Sequence, residues 1–350
     1  MKPETGLPLV SVVMAVYNGE RYLSAAIASI LHQTWKNFEF IIINDGSTDG
    51  TAQILAAYQQ QDRRVQVYDQ TNQGLTRSLN RGLQLAQGDY IARMDADDLS
   101  LPRRLARQVQ FMETHPDIGL CGSWIRGLGE SAGAVNQYPV DHATICAWLL
   151  FDSAFAHPTV MLRRQTFAAQ QLTYDPTYQY CQDYDLWRRC SRQIQLANLP
   201  EILLHYRTHG QQMGQVYSQT LRGAENYRVY TSQLTQLGLP VTAAVLQLHQ
   251  TFRLFDVAID RDFLEQAHNW LWTIHLANQQ TQIYQSSALA KVLGHRWFGL
   301  CYRATHLGSE IWQRFWQSPL SQMAPLSGEQ TLKFALKSHL SHGTTRRLNP

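Results

Sequence analysis

Four times in the first hundred or so residues, a short apolar run gives way to a polar cluster and then to a stretch with apolar residues at three- and four-residue steps. Leu9–Val16, LVSVVMAV, is rich in β-branched residues and suits a parallel strand covered on both faces. After the turn Tyr17-Asn18-Gly19, the spacing of Leu23, Ile27, Ile30 and Leu31 predicts an amphipathic helix that stops before Trp35. The cycle repeats at Phe38–Ile43 with a helix through Ile54, Leu55 and Tyr58, and at Val65–Tyr68 with a helix on Leu75, Leu79 and Leu83. It repeats again at Tyr90–Met94, followed by a helix from Pro102 to about Thr114. Such alternation predicts an α/β fold with a doubly wound, mostly parallel sheet, in which ligands bind beyond the carboxyl ends of the strands. The clusters YNGE, NDGSTDG, NQG and DADD all sit at those ends and would converge on one crevice.

The pattern is less regular further on. Strands are expected at Ile118–Ile125, His157–Leu162, Ile194–Leu199 and Leu203–Arg207, with a Gly-rich loop near Gly127–Gly133, a helix running into a loop over Trp148–Phe155 and a helix at Asp183–Cys190. Beyond about Gly210 only helices are predicted, over Tyr217–Leu237, Val241–Phe255, Asp262–Leu276 and Ile283–Phe298. The boundary near residues 210–215 divides an α/β domain, 1–212, from a helical C-terminal region, 213–350.

No apolar run approaches the ~20 residues a membrane span needs, and the N-terminus lacks a basic region followed by a cleavable apolar stretch, so a cytoplasmic chain is expected. The five cysteines never fall at CxxC spacing, which signals neither a disulfide framework nor a zinc knuckle. The net charge of +3 is unevenly spread: from Ala290 onward eight Lys and Arg face only Glu310 and Glu329, leaving that tail at +6 and the remainder at −3. An anionic partner surface for the tail follows, membrane headgroups or nucleic acid.

Asp95, Asp97 and Asp98 close the fourth strand with no lysine beside them, so their mutual repulsion calls for a cation. Strand alternation would turn Asp95 and Asp97 one way and Asp98 the other, and two carboxylates on one side suit Mg²⁺ or Mn²⁺ better than zinc. A helix cap explains one such residue, Asp98 or Ser100, but not three. NDGSTD, between a strand and a helix, lets Gly46 make a tight turn while free helix N–H groups face an anion. GxGxxG and GK[ST] are both absent, which excludes the dinucleotide fingerprint and the P-loop. The HxxxH spacing of His205 and His209 falls on a strand and lacks the Glu of HExxH, so it does not read as a zinc site.

Seven segments in order, VSVVMAVYNGERYLSAAIASILHQT, FEFIIINDGSTDGT, NQGLTRSLNRGL, GDYIARMDADD, HPTVMLRR, QDYDLWRR and YRTHG, resemble family 2 of the inverting glycosyltransferases with the GT-A fold over roughly Val10–His209. The resemblance implies a nucleotide-sugar donor, most simply a UDP-sugar, a divalent metal and inversion at the anomeric carbon. It places Ala15–Tyr17 on the nucleobase with Glu20 nearby, Asp45 on the base N–H and Asp95 on the ribose, with Asn80 and Ala96 also lining the donor site. Asp97 and His209 would hold the metal. The family's acidic pair before an apolar helix reads Gln182-Asp183 here, which leaves Asp183 as the base and Asp185 as the fallback. A helix N-cap is the other reading of Asp183. His157 falls on the acceptor side or serves structurally.

The acceptor implied is a hydroxyl on a saccharide or lipid-linked molecule of surface-polysaccharide synthesis. The C-terminal segment interleaves Arg296, Trp297, Phe298, Tyr302, Arg303, Trp312, Arg314, Phe315 and Trp316, which suits a helix in the interface of the inner membrane face or aromatics packed in a helical subdomain. No nucleic-acid reader module is present. A sugar nucleotidyltransferase would want a basic Gly-rich loop where this chain has the acidic YNGE. A catalytically silent nucleotide-sugar-binding subunit is the remaining alternative.

Overall fold

The structure, a computed structural model, describes residues 6–210, 219–254 and 258–340. The predicted 212/213 boundary, the helix start at Tyr217, the helix end at Phe255 and the basic residues Arg346 and Arg347 lie outside the described residues. The chain divides into two compact units, one made of the residues up to Ile145 with Ser153–Glu225, the other of Cys146–Asp152 with the chain from Asn226.

The first unit carries the sheet. The four predicted strands are β1 (Val10–Val16), β2 (Phe38–Asp45), β3 (Val65–Gln70) and β4 (Tyr90–Met94), and the helices returning between them are α1 (Glu20–Leu31), α2 (Thr51–Gln61) and α3 (Leu75–Leu85). β1 pairs in parallel with β2 and β4, and β2 with β3, so all four carboxyl ends lie at one edge. β1, β2 and β4 are buried along nearly their whole length, as strands covered on both faces must be.

The chain continues through β5 (Leu99–Ser100), α4 (Arg104–Thr114), β6 (Ile118–Gly129), β7 (Val135–Asn136), α5 (His142–Trp148), a 3₁₀ turn at His157–Thr159, β8 (Met161–Arg163), α6 (Arg164–Ala169), α7 (Gln182–Cys190) and β9 (Gln195–Thr208). The strand order is β3-β2-β1-β4-β8-β6-β9-β5, with β7 on β6. β8 runs antiparallel to both β4 and β6, while β6 and β9 form a long parallel pair. Val12, Met14, Ile27, Ile30, Phe40, Ile42, Leu105 and Met112 fill the core of this unit.

Prolines explain two departures from the predicted strands. Pro158 coils the first half of HPTVML into the 3₁₀ turn, so only its end pairs. The two strands expected at Ile194–Leu199 and Leu203–Arg207 are one, because the register jumps from Ser123↔Leu199 to Trp124↔Ile202 and lets Pro200 and Glu201 bulge out of the ladder. The helix expected from Trp148 instead ends there.

The second unit is helical: α8 (Gln219–Gln236), whose last part belongs to it, then α9 (Ala243–Leu254), α10 (Arg261–Thr281), α11 (Ser286–Arg303), α12 (Glu310–Gln317), α13 (Leu320–Met323) and α14 (Gly328–Leu340). Buried His249 lies 2.8 Å through Nε2 from the Leu150 carbonyl and accepts from Trp270 Nε1 through Nδ1 at 3.1 Å. Burial pushes its pKa down to about 4. The aromatic-basic segment mostly builds this interior: Trp297 and Phe315 are fully buried, and the Arg296 guanidinium stacks 4.5 Å over Trp148. Among the described residues of this unit, Leu276, Trp316, Leu332 and Leu336 are the large apolar side chains left exposed, at 43%, 38%, 61% and 50%. Among the described residues, no helix is long and apolar enough to cross a membrane.

Candidate active site

The loops after β1 and β2 are stitched together by reciprocal bonds. Asn18 accepts from Thr48 N at 2.8 Å and donates its own N–H to Ser47 Oγ at 3.0 Å. Gly19 N donates to Thr51 Oγ1 at 2.9 Å and Glu20 N to Asp49 at 3.1 Å, while Gly50 N donates to Glu20 Oε2 at 2.6 Å. The N–H groups opening α2 thus end on the carboxylates of Glu20 and, from Thr51 N at 3.0 Å, Asp49. This narrows the expectation that the helix N–H groups are free for an anion: those of Gly50 and Thr51 already face acidic side chains. Ala15 lies half-buried one residue before the end of β1, and Tyr17 stands 54% exposed just beyond it.

Asp45, buried at the end of β2, accepts from Gln70 Nε2 at 2.7 Å, Gln73 N at 2.9 Å and Gly74 N at 2.8 Å. It therefore shapes the loop between β3 and α3, whatever else it binds. Gly46 beside it has φ +74°, and a Cβ there would stand 2.8 Å from Asn72 N, so no other residue fits without strain.

The acidic cluster departs from strand alternation. β4 ends at Met94 and the chain bends at Ala96 and Asp97, so that one oxygen each of Asp95, Asp97 and Asp98 lie within 4.8 Å of one another. Asp98, expected to point away, joins the other two. Its Oδ1 accepts from Arg207 N at 2.7 Å, and its Oδ2 is buried with no hydrogen-bond partner. Burial, reinforced by Asp95 and Asp97, pushes its carboxyl well above the usual range. Asp95 pairs with buried Arg93, and Asp97 Oδ2 lies 3.0 Å from His209 Nε2.

Bracing comes from two further elements. Arg207 donates through Nε to the Asp97 carbonyl at 2.7 Å and lays its guanidinium 4.4 Å over Tyr22, whose ring in turn lies 5.0 Å from that of His209. Arg104, fully buried, donates to the Arg93 carbonyl at 2.7 Å, and burial lowers its pKa to about 9. Three hard oxygens beside an imidazole, one of the oxygens buried and unmatched, fit Mn²⁺ or Mg²⁺.

On the other side runs the loop 172–181, which leads into α7. Asn80 grips the Tyr174 main chain twice, at 2.8 and 3.0 Å, so its amide serves this loop rather than standing open to a donor as expected. Thr76 Oγ1 donates to the Tyr178 carbonyl at 2.8 Å. His157 is buried, 2.7 Å from the Tyr174 hydroxyl and edge-on to Trp187, and burial holds it neutral well below its usual pKa. Burial likewise raises the Tyr174 phenol, which also feels the charges of Arg93, Asp183 and Asp95, so Asp95 of the acidic cluster and Asp183 lie within electrostatic reach of one side chain. Asp183 is the second residue of α7 and half-buried. Asp185 is tied to Arg188 at 3.0 Å and Arg189 at 2.8 Å, which removes it as a fallback base.

Sequence reasoning missed Arg93, Arg104, Tyr22, Tyr174 and Arg207. Only Arg93 left a signal, as a cation inside the apolar run YIARM.

The glycosyl transferase family 2 profile matches residues 11–172. An uncharacterized glycosyltransferase of Haemophilus influenzae is 36% identical over 60% of this chain and 69% of its own. The O-antigen biosynthesis glycosyltransferase WbnJ of Escherichia coli is 37% identical over 58% of this chain and 81% of its own. Among solved structures, Staphylococcus aureus TarS residues 1–349 in complex with UDP-GlcNAc superposes with a TM-score of 0.58 at 16% identity, covering 82% of this chain and 86% of that one, a likeness of GT-A fold. The chain belongs to glycosyl transferase family 2.

Proposed function

We propose that the protein is a metal-dependent, inverting hexosyltransferase that moves a sugar from a UDP-sugar to a hydroxyl of a saccharide or lipid-linked acceptor in surface-polysaccharide synthesis, on the cytoplasmic side of the membrane. The observation that carries this reading is the convergence of Asp95, Asp97 and Asp98, with His209 against Asp97 and with Tyr174 within reach of both Asp95 and Asp183. WbnJ, described as an O-antigen biosynthesis enzyme, supports the acceptor class, and the UDP-GlcNAc held by TarS supports the donor.

In this reading Tyr17 and Ala15 offer a flat surface to the base, and Asp45 and Glu20 keep the surrounding loops in place. Asp95, steadied by Arg93, accepts from the ribose hydroxyls. Asp97, Asp98 and His209 would hold Mn²⁺ or Mg²⁺, and the ion would supply positive charge to offset that of the departing diphosphate. Asp183 takes the proton of the acceptor hydroxyl as its oxygen bonds to the anomeric carbon from the far side. The bond from that carbon to the phosphate oxygen breaks, and its electron pair leaves with the nucleoside diphosphate.

The test is a panel of UDP-glucose, UDP-galactose, UDP-N-acetylglucosamine and GDP-mannose. At least one UDP-sugar should raise the melting temperature, more with Mn²⁺ than without, since a ligand that binds only the folded form stabilises it. Asp183→Asn should keep that shift while turnover falls roughly 10²–10⁴-fold. Unchanged turnover would remove Asp183 from the mechanism. No turnover in the unsubstituted protein on any saccharide or lipid-linked acceptor would favour a silent binding subunit.

A peripheral membrane contact is part of the same proposal, narrowed to α14. Exposed Leu332 and Leu336 alternate there with exposed Lys333 and Lys337, and Trp316 of α12, a helix in contact with α14, is exposed as well. Vesicles containing anionic lipid should float with the full chain and not with a Leu332→Ser, Leu336→Ser variant. Equal flotation of both ends the idea.

A further inference from the structure

Glu225 is 5% exposed and accepts three consecutive backbone N–H groups, from Gln179 at 2.7 Å, Tyr180 at 2.8 Å and Cys181 at 2.8 Å. Both partners of this contact lie in the first unit. Cys181 is the N-cap residue of α7, and Asp183 stands two positions further on. Backbone N–H groups turned together form a nest for an anion, and the nest here is filled by a carboxylate from an element 44 residues away. The same loop is held at Tyr174 by Asn80 and at Tyr178 by Thr76, but those grips lie five residues or more before Asp183. Glu225 grips the last three residues before the helix.

Nothing in the site explains a buried charge at this place. Glu225 is among neither the residues that converge on the acidic cluster nor those that shape the donor loops. An acidic side chain inside a protein is costly unless several donors compensate it, and here the three donors belong to one stretch of main chain. Its effect is therefore to set where α7 begins, and with it the carboxylate that must face the acceptor hydroxyl.

We propose that Glu225 is a positioning residue for the catalytic base, holding the start of α7 so that Asp183 meets the incoming hydroxyl, a role that rests on the assignment of Asp183 above. Glu225→Gln puts an amide NH₂ against N–H donors and breaks the nest. Glu225→Asp keeps the charge on a side chain one methylene shorter. Displacement of a catalytic group by about 1 Å costs on the order of 10²-fold in rate. The donor loops do not touch Glu225, so a fault confined to α7 leaves donor binding alone.

The test measures kcat for release of UDP, or of GDP from GDP-mannose, from whichever sugar of the panel turns over, with water standing in for the acceptor. UDP binding with Mn²⁺ is measured alongside by calorimetry. Glu225→Gln should lose roughly 10–100-fold in kcat while UDP affinity stays within about twofold, and Glu225→Asp should lie between it and the unsubstituted enzyme. In an Asp183→Asn background, Glu225→Gln should cost nothing more, because a base already removed cannot be misplaced. A merely structural glutamate would instead multiply its loss with that of Asp183→Asn. Either that result, an unsubstituted kcat in Glu225→Gln, or a parallel fall in UDP affinity overturns the proposal while leaving the base assignment standing. If Asp183→Asn turns over as fast as the unsubstituted protein, the base assignment falls and this proposal falls with it. Should Glu225→Gln not fold, Glu225→Asp decides on the same readouts: a kcat loss at unchanged UDP affinity supports the role, and an unsubstituted kcat overturns it.

Discussion

The two sides of the proposed crevice, donor and acceptor, are built by different means. On the donor side the loops after β1 and β2 are joined by bonds between residues about one strand–helix repeat apart, such as Asn18 to Thr48 and Glu20 to Gly50, each separated by 30 residues. On the acceptor side the loop 172–181 is clamped across far longer intervals, 94 residues from Asn80 to Tyr174 and 102 from Thr76 to Tyr178. The donor side is thus a product of the repeating α/β unit, while the acceptor side is imposed on that unit by side chains reaching in from elsewhere. A fault in one side should leave the other working, and each of the following substitutions is a way to find out.

The largest effect is expected at the seam. Asp97→Asn removes a carboxylate from the cluster and the partner of His209, and should lower turnover roughly 10²–10³-fold while abolishing the Mn²⁺ dependence of UDP binding. Persistence of that dependence, read by calorimetry with and without Mn²⁺, would separate the cluster from the metal. Next comes the donor side alone: Gly46→Ala forces a Cβ into a left-handed turn against Asn72 N, at a cost of about 1–3 kcal/mol. UDP affinity should fall, with little change in kcat at saturating donor. On the acceptor side, Asn80→Ala strips two hydrogen bonds from the Tyr174 main chain, and should cost about 1–3 kcal/mol of stability and reduce kcat while UDP affinity holds. If Asn80→Ala weakened UDP binding instead, the division between the sides would be wrong.

The smallest effect on turnover lies outside the site and sets the background for any acid-side experiment. His249 is kept neutral by burial, with a pKa of about 4 against 6.5 when exposed, so the unfolded chain binds its proton first. Its contribution to stability is complete above pH 6.5 and is lost as pH falls toward about 4, some ~3 kcal/mol in all. His249→Phe should flatten that limb of the melting curve. A curve unchanged by the substitution would assign acid sensitivity to another group.

What could be read in advance follows the same division. The four parallel strands, their helices and the convergence of YNGE, NDGSTDG, NQG and DADD were legible because each depends on periodicity and on neighbouring polar turns. Asp97 and His209 were paired only through family resemblance, since no local signal connects residues 112 apart. The turn of Asp98 into the cluster was missed because a bend at Ala96 and Asp97 ends the alternation that strand logic assumes. Asn80 and Glu225 were unreadable for a related reason: an amide or carboxylate on a helix shows its period, but not the distant main chain it will hold. Even the C-terminal aromatics carried a true signal of an apolar surface, yet only packing reveals that Trp297 and Phe315 face inward while Trp316 does not.

The most direct measurement is anomalous diffraction at the manganese edge from crystals soaked with UDP and Mn²⁺. A single peak at coordination distance from the Asp97 carboxylate and His209 Nε2, with Asp183 facing the same crevice, is the expected result. A peak held by other residues, or UDP bound with no peak beside Asp97, would contradict it.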